Sequence, residues 1–359
     1  MGQTVCKGLV LSGGRGSRLR PLTATQAKQL IPVANKPILF YGLEALVAAG
    51  VTDVGIVVGE TWREVQAAVG EGSQFGIRAT YIRQEEPLGL AHAVLCAEDF
   101  LQGDRFVMYL GDNLILGGIA HLVHGFSHSQ ANAHILLARV HNPSQFGVAV
   151  VEGGRLVHLV EKPEVTPSDL AMVGVYFYDA TILKAARAIS PSARGELEIS
   201  DATQWLVDSG YMVPCQEIAG WWKDTGRPED VLEANRVLLD QQDGRIAGRV
   251  DDLSQIGFKV VVEPGADVQN SVIRGPAVIG AGTRTRRAYI GPFTSIGPDC
   301  VIEQCEIENS IVMAESRLIR IRRRISDSLI GRNVTLTASQ RPPEAHKFVV
   351  GENSYVEIG

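Results

Sequence analysis

Cysteine is scarce, aromatic residues amount to 6%, and long apolar runs are missing from this 359-residue sequence. The five cysteines, Cys6, Cys96, Cys215, Cys300 and Cys305, are odd in number and scattered, with no C-x-x-C pair. That spacing argues against a disulfide scaffold and against a cysteine zinc site. No apolar stretch approaches the roughly 18 residues that a membrane span needs. The N-terminus offers only Gly8-Leu9-Val10-Leu11, too short for the apolar part of a signal peptide. A basic excess is missing too. The net charge of −6 argues against whole-molecule attraction to nucleic acid or an anionic membrane. A cytoplasmic chain is expected. What is present is the composition of a folded protein, with 45% apolar and 21% charged residues. At roughly 150 residues per domain, the length accommodates about two domains.

The texture changes near Gly244. Before it, Lys7–Leu11, Val54–Val58, Ala79–Ile82, Phe106–Leu110, Ala133–Arg139 and Val173–Tyr178 read as buried strands. Pro37–Ala49, Thr61–Val69, Gly89–Phe100, Ile119–Gln130 and Glu229–Asp243 have helical length and spacing. The alternation predicts an α/β domain over residues 1–244, a Rossmann-like, mostly parallel sheet with helices on both faces. After it, aliphatic residues recur six apart, from Ile273 to Ile279 and from Ile290 through Ile296 to Ile302. A hexapeptide period predicts a parallel β-helix over residues 245–359. A β-sandwich would space its turn signals roughly every 8–12 residues. The repeat is imperfect between Cys305 and Arg324. From Arg245 onward 15 basic residues meet 13 acidic ones, whereas the earlier part carries 19 against 27. The one dense basic run, Arg320-Ile321-Arg322-Arg323-Arg324, has no interleaved aromatics. It reads as a solvated coil face alternating with buried Ile321 and Ile325.

The strongest chemical signal follows the first strand. Leu9-Val10-Leu11 runs into Ser12-Gly13-Gly14-Arg15-Gly16-Ser17-Arg18-Leu19-Arg20. Successive glycines let backbone N–H groups approach an anion, and three arginines in six residues exceed what a turn requires. A Walker loop is excluded because no Lys follows the glycines. A dinucleotide fingerprint fits poorly, with Leu19 at its third glycine position, although Glu60 ends the second strand where a ribose-binding acid would sit. His121, His124 and His128 share a helix face, but no Cys or acid joins them, and a solvated face is the expected reading.

Gly13 to Arg18, Pro21, Thr23 and Lys28-Gln29-Leu30-x-Pro32-Val33 resemble the signature of sugar-1-phosphate nucleotidylyltransferases. The chain is most similar to the long glucose-1-phosphate thymidylyltransferases of streptomycin-type deoxysugar pathways. Further segments fall in that family's order: Gln84-x-x-Pro87-Leu88-Gly89-Leu90-Ala91-His92-Ala93, Leu110-Gly111-Asp112-Asn113, Phe146-Gly147-Val148, Glu161-Lys162-Pro163, Ser192 to Glu198, and Trp222-Lys223-Asp224-Thr225-Gly226.

The resemblance implies transfer of a thymidylyl group from dTTP to glucose 1-phosphate, with Mg²⁺ as cofactor. It implies a left-handed β-helix that is structural, in a homo-oligomer that binds neither nucleic acid nor membrane. Arg18 and Lys28 suit the triphosphate beside Gly13, Gly14 and Leu11, and Asp112 and Asp224 suit Mg²⁺. Gln84 matches a pyrimidine edge, and Gly89 lets backbone approach the base or ribose. Asn113, Gly147, Glu161, Lys162 and Val173 fall to the sugar phosphate, with Tyr176 and Trp222 as packing surfaces. Phe146 stands where relatives carry Tyr, and Ser12 where many carry Ala. Three alternatives stay open: a uridylyl-transferring enzyme, a bifunctional nucleotidyl- and acetyltransferase, and a silent sugar-nucleotide sensor or scaffold. For acyl transfer the β-helix half offers one histidine, His346.

Overall fold

The computed structural model describes residues 6–338, 347–348 and 350–357, so His346 and the run 341–346 around it lie outside the described residues. Its chain divides into two compact units: 1–15, 26–30 and 38–224 form the first, and 16–25, 31–37 and 225–359 the second.

The first unit is built on one nine-stranded sheet. Along its main path the strands run Arg78–Arg83, Asp53–Val58, Lys7–Ser12, Phe106–Leu110, Leu170–Tyr178, Gly147–Glu152 and Arg155–Glu161. The first four pair in parallel. Lys7–Ser12 lies between two parallel neighbours and is buried along its whole length, which is why its sequence is a continuous apolar run rather than an alternating one. Beyond Phe106–Leu110 the pairing turns antiparallel. Two apolar clusters fill the domain. One gathers Leu9, Met108, Ile135 and Tyr178, and the other Val10, Val107, Tyr109 and Phe177, so successive residues of one strand feed opposite faces.

Expected helices form with trimmed ends: Ile38–Ala48, Trp62–Val69 and Ala120–Ser127. The expected helix over Gly89–Phe100 is two pieces, Leu90–Cys96 and Glu98–Leu101, joined at Ala97. No helix among the described residues is long and apolar enough to cross a membrane.

In the second unit, short strands stack into three parallel sheets, the arrangement of the expected β-helix. Val260 pairs with Ala277 and Ala277 with Thr294, a rise of 17 residues per coil. The buried phase runs Ile273, Ile279, Thr285, Ile290, Ile296, Ile302, Ile307. Its steps are therefore six, six and five, which is why a strict hexapeptide period drifts. Later coils rise by 16 and then 18, as Ser295 pairs with Ile311 and Ile311 with Leu329. That change of step accounts for the irregular stretch after Cys305. In the basic run, Arg324 pairs with Glu306 and Glu308 of the preceding coil, and Ile321 and Ile325 pack against the coil interior.

The compact division falls earlier than the expected one at Gly244. Helix Pro228–Asp240 belongs with the coils, starting from a Pro at its first turn followed by Glu229 and Asp230, as the helix dipole favours. Asn235 on that helix is fully buried. Its Oδ1 accepts from the Ala34 N–H (2.8 Å) and the Ser295 hydroxyl (2.6 Å), and its Nδ2 donates to the Phe293 carbonyl (2.9 Å). Asn235→Ala strands two buried polar groups, the Ala34 N–H and the Ser295 hydroxyl, each worth about 1–3 kcal/mol, and the part-buried Phe293 carbonyl. The variant is expected to shift the urea midpoint down by a margin that Ala substitutions on the exposed helix face do not reproduce.

Candidate active site

All the sequence-derived site residues except Arg18 fall in the first unit. Arg18 belongs to the second, exposed on the 3₁₀ turn Ser17–Leu19. Arg15 is an exposed partner of Glu60 at 2.9 Å, which gives that acid an ion pair rather than a ribose.

The glycine loop has two sides. A Cβ on Gly14 would meet Lys28 Cε at 2.9 Å and Nζ at 3.2 Å, and one on Gly13 would meet Gln84 Oε1 at 3.3 Å. Lys28 forms an ion pair with Asp112, just past the end of strand Phe106–Leu110. Next to Asp112, the Gly111 N–H donates to the Leu11 carbonyl at 2.9 Å, tying the two strand ends together. Thus an amide faces one glycine, and an ammonium–carboxylate pair faces the other. Ser12, before them, has a buried Oγ with no hydrogen-bond partner among the described residues.

Asp112 is 7% exposed. Burial alone would raise its carboxyl, but the Lys28 ammonium, with hydrogen bonds from Lys28 and Asn113, holds it below the usual carboxylate range. Asn113 pairs in register with Asp224 across the short antiparallel ladder of Asn113–Ile115 with Trp222–Asp224, so the two aspartates approach one another through neighbouring backbone. Tyr176 senses both. Its phenol is pushed well up, first by burial, then by Tyr178, and by the carboxylates of Glu161, Asp224 and Asp112. Asp112, Asp224 and Glu161 thus share the surroundings of one buried hydroxyl.

Asn113, expected on the sugar side, has its carboxamide bonded to neighbouring groups. Its Nδ2 donates to Asp112 at 3.1 Å, while its Oδ1 accepts from Trp222 Nε1 at 2.6 Å and the Gly174 N–H at 3.2 Å. At 2% exposure its carboxamide is committed to bracing Asp112. Val173 is fully buried, in the stretch where the pairing of Leu170–Tyr178 with Ala133–Arg139 shifts register. Only its main chain is left to meet a ligand. Trp222 is half-buried with its ring edge on Phe146, 5.4 Å between centroids.

Glu161 and Gly147 are register partners in the hairpin Gly147–Glu152 with Arg155–Glu161. A Cβ on Gly147 would come within 3.1 Å of Glu161 Oε2. Glu161 meets Lys162 Nζ at 3.3 Å, Ser200 Oγ at 3.1 Å and Arg194 Nη2 at 3.4 Å. Lys162 itself takes φ +42, a left-handed conformation that a lysine adopts only when its surroundings enforce it, here with its N–H bonded to the Phe146 carbonyl. Arg194 has no expected role in the sequence, although it lies in the run from Ser192 to Glu198. The structure places its guanidinium on buried Glu198 at 2.7 and 2.8 Å and within reach of Glu161. The signal was the alternation of one Arg with two acids in Arg194-Gly195-Glu196-Leu197-Glu198.

The family described as nucleotidyl transferase matches residues 7–241. The chain belongs to the nucleotidyl transferase family. Two of its relatives in that family span almost the whole chain. A glucose-1-phosphate thymidylyltransferase of Streptomyces griseus is 52% identical over 98% of this chain and 99% of the relative. One of Streptomyces antibioticus is 55% identical, again over 98% and 99%. Among solved structures, a Bacillus anthracis protein described as a glucose-1-phosphate thymidylyltransferase, in complex with sucrose, aligns with a TM-score of 0.63. It is 35% identical and covers 67% of this nucleotidyltransferase and 98% of its own chain.

Proposed function

We propose that this nucleotidyltransferase joins dTTP to glucose 1-phosphate, giving dTDP-glucose and pyrophosphate for deoxysugar synthesis. The observation that carries the proposal is the glycine loop with a base-reading amide on one side and the Lys28–Asp112 pair on the other. The near full-length likeness to thymidylyltransferases supports the same reading.

A phosphate oxygen of glucose 1-phosphate attacks the α-phosphorus of dTTP in line. The bond from that phosphorus to the β-phosphate bridge breaks, and its electron pair leaves with pyrophosphate. Such transfers need positioning and charge neutralisation more than covalent chemistry. Lys28 and the Gly13 and Gly14 amides are assigned to the triphosphate, and Lys162 to the sugar phosphate as it attacks. Glu161 accepts from sugar hydroxyls over a floor of Tyr176 and Trp222. Asp112 and Asp224 present hard carboxylate oxygens, and no group of three or more His, Cys, Asp or Glu is gathered to hold a metal among the described residues. Two carboxylates that leave the remaining positions to phosphates and water fit Mg²⁺. When bound, Mg²⁺ neutralises phosphate charge and orients the triphosphate. Asn113 holds Asp112 in place for that task.

Base choice tests the assignment. Thymine and uracil share one hydrogen-bonding edge and differ by a methyl, worth about 1–3 kcal/mol in an apolar pocket. dTTP is expected to lead, UTP to follow measurably, and CTP to be poor in a nucleotide-by-sugar turnover matrix. Equal use of CTP would refute the base reading.

The coils from Arg245 are assigned a structural role in a homo-oligomer. Exposed Ile246, Leu253 and Phe258 on the first coils support self-association. Sedimentation of the full chain is expected to give more than one chain's mass, and no acetyl-CoA consumption is expected with glucosamine 1-phosphate.

A further inference from the structure

The amide of Gln84 has two ends, and which end faces the nucleotide decides which bases it accepts. Gln84 is 9% exposed, at the end of strand Arg78–Arg83. One terminal atom lies 3.0 Å from the Gly89 carbonyl oxygen and 3.0 Å from His92 Nδ1. A backbone carbonyl can only accept, so that atom is the NH₂. Its two protons then go to Gly89 O and His92 Nδ1. His92 Nδ1 must therefore be the bare nitrogen, with the ring proton on Nε2. Gln84 is left with Oε1, which has no hydrogen-bond partner among the described residues, on the side where a Cβ of Gly13 would come within 3.3 Å.

We infer that His92 is a positioning residue for nucleobase selection: by accepting from Gln84, it locks the amide so that only a hydrogen-bond acceptor faces the glycine loop. An acceptor there matches the N3–H of thymine or uracil and opposes the N3 lone pair of cytosine. A turned amide would present its NH₂ to the base and reverse that preference. The Gly89 carbonyl opposes the turn from one side and His92 from the other. His92 sits half-buried in the first turn of helix Leu90–Cys96, with Cys96 Sγ 3.8 Å away and the chain of its own turn holding it beside Gln84. The inference rests on the proposed reading of Gln84 as the residue that meets the pyrimidine.

The test is kcat/KM for dTTP, UTP and CTP, with glucose 1-phosphate and the full-length chain, in wild type, His92→Ala, His92→Asn and Gln84→Ala. His92→Ala is expected to cut the dTTP-to-CTP preference about tenfold or more through KM, with kcat at saturating dTTP held within about threefold. Asn places an acceptor oxygen where Nδ1 was and is expected to restore most of the preference. A preference unchanged in His92→Ala but lost in Gln84→Ala overturns the role of His92 alone. A preference unchanged in both overturns the reading of Gln84 itself. Nitrogen-15 NMR of the histidines in the wild-type protein gives a second arm that needs no variant. The Nε2–H tautomer is expected for His92, and an Nδ1–H tautomer would overturn the inference.

Discussion

Asp112→Asn is expected to lower turnover with dTTP and glucose 1-phosphate by about 100-fold or more, the scale seen when one charge-stabilising group is removed from a transfer site. Asparagine keeps the shape and an acceptor oxygen, so Asn113 Nδ2 and Lys28 can still find a partner there. What disappears is the negative charge, and with it the affinity for a hard cation. Lys28 is not stranded by the change, because its side chain is 19% exposed and reaches water. The thermal midpoint is therefore expected to fall by a few degrees at most. Asp224→Asn is expected to behave alike, since it meets the same surroundings from the other strand of the ladder. EDTA should abolish wild-type turnover and added Mg²⁺ should restore it. Near-normal turnover in either variant would remove that residue from the metal-holding pair.

Gly89→Ala is expected to have the largest effect on stability of any single methyl added to the first unit. Gly89 lies at φ +107 and ψ 173, a region essentially closed to residues with a Cβ. The added carbon would meet Leu197 O at 2.4 Å and Leu197 N at 2.7 Å, both backbone atoms that no side-chain rotation can move away. Those same atoms bond Leu88 O at 2.7 Å and Ala91 N–H at 3.0 Å. Strain of about 1–3 kcal/mol and two weakened hydrogen bonds of about 1 kcal/mol each bring the expected loss to about 3–5 kcal/mol. Activity should fall with it, because Gly89 O also fixes the Gln84 amide, and Leu197 belongs to the loop that carries Arg194 and Glu198. Urea unfolding measures the first effect and CTP discrimination the second. A midpoint within experimental error of wild type would contradict the packing account.

Gly89 is expected from the sequence to let backbone approach the ligand, and the fold adds a distinct close approach, to Leu197. The distinction was invisible in sequence because Leu197 lies more than a hundred residues away. The parallel core was legible, since buried parallel strands announce themselves as unbroken apolar runs such as Phe106–Leu110. The antiparallel hairpin Gly147–Glu152 with Arg155–Glu161 went unread, although Gly153-Gly154 between its strands has the positive φ angles that such a turn demands. Its strands have neither the unbroken burial of the core strands nor a strict alternation of exposed and buried residues. The β-helix was legible from its period, but its true step of six, six and five needed the register of the coils. At the site, Asp112, Asp224 and Glu161, residue types with one clear chemistry, all act on the buried hydroxyl of Tyr176. For Asn113 the sequence says less, because a carboxamide bonds equally well to a sugar or to its neighbours, and the neighbours it meets, Trp222 and Gly174, are placed only by the fold.

In the proposed transfer, glucose 1-phosphate attacks the α-phosphorus. The most direct measurement is ³¹P NMR, with mass spectrometry, of a reaction holding dTTP, Mg²⁺ and glucose 1-phosphate whose phosphate oxygens carry ¹⁸O. The expected products are dTDP-glucose with the heavy oxygens on its sugar-linked phosphorus and in the bridge, and unlabelled pyrophosphate. Heavy oxygen in the pyrophosphate, or no sugar nucleotide from any nucleoside triphosphate, would contradict it.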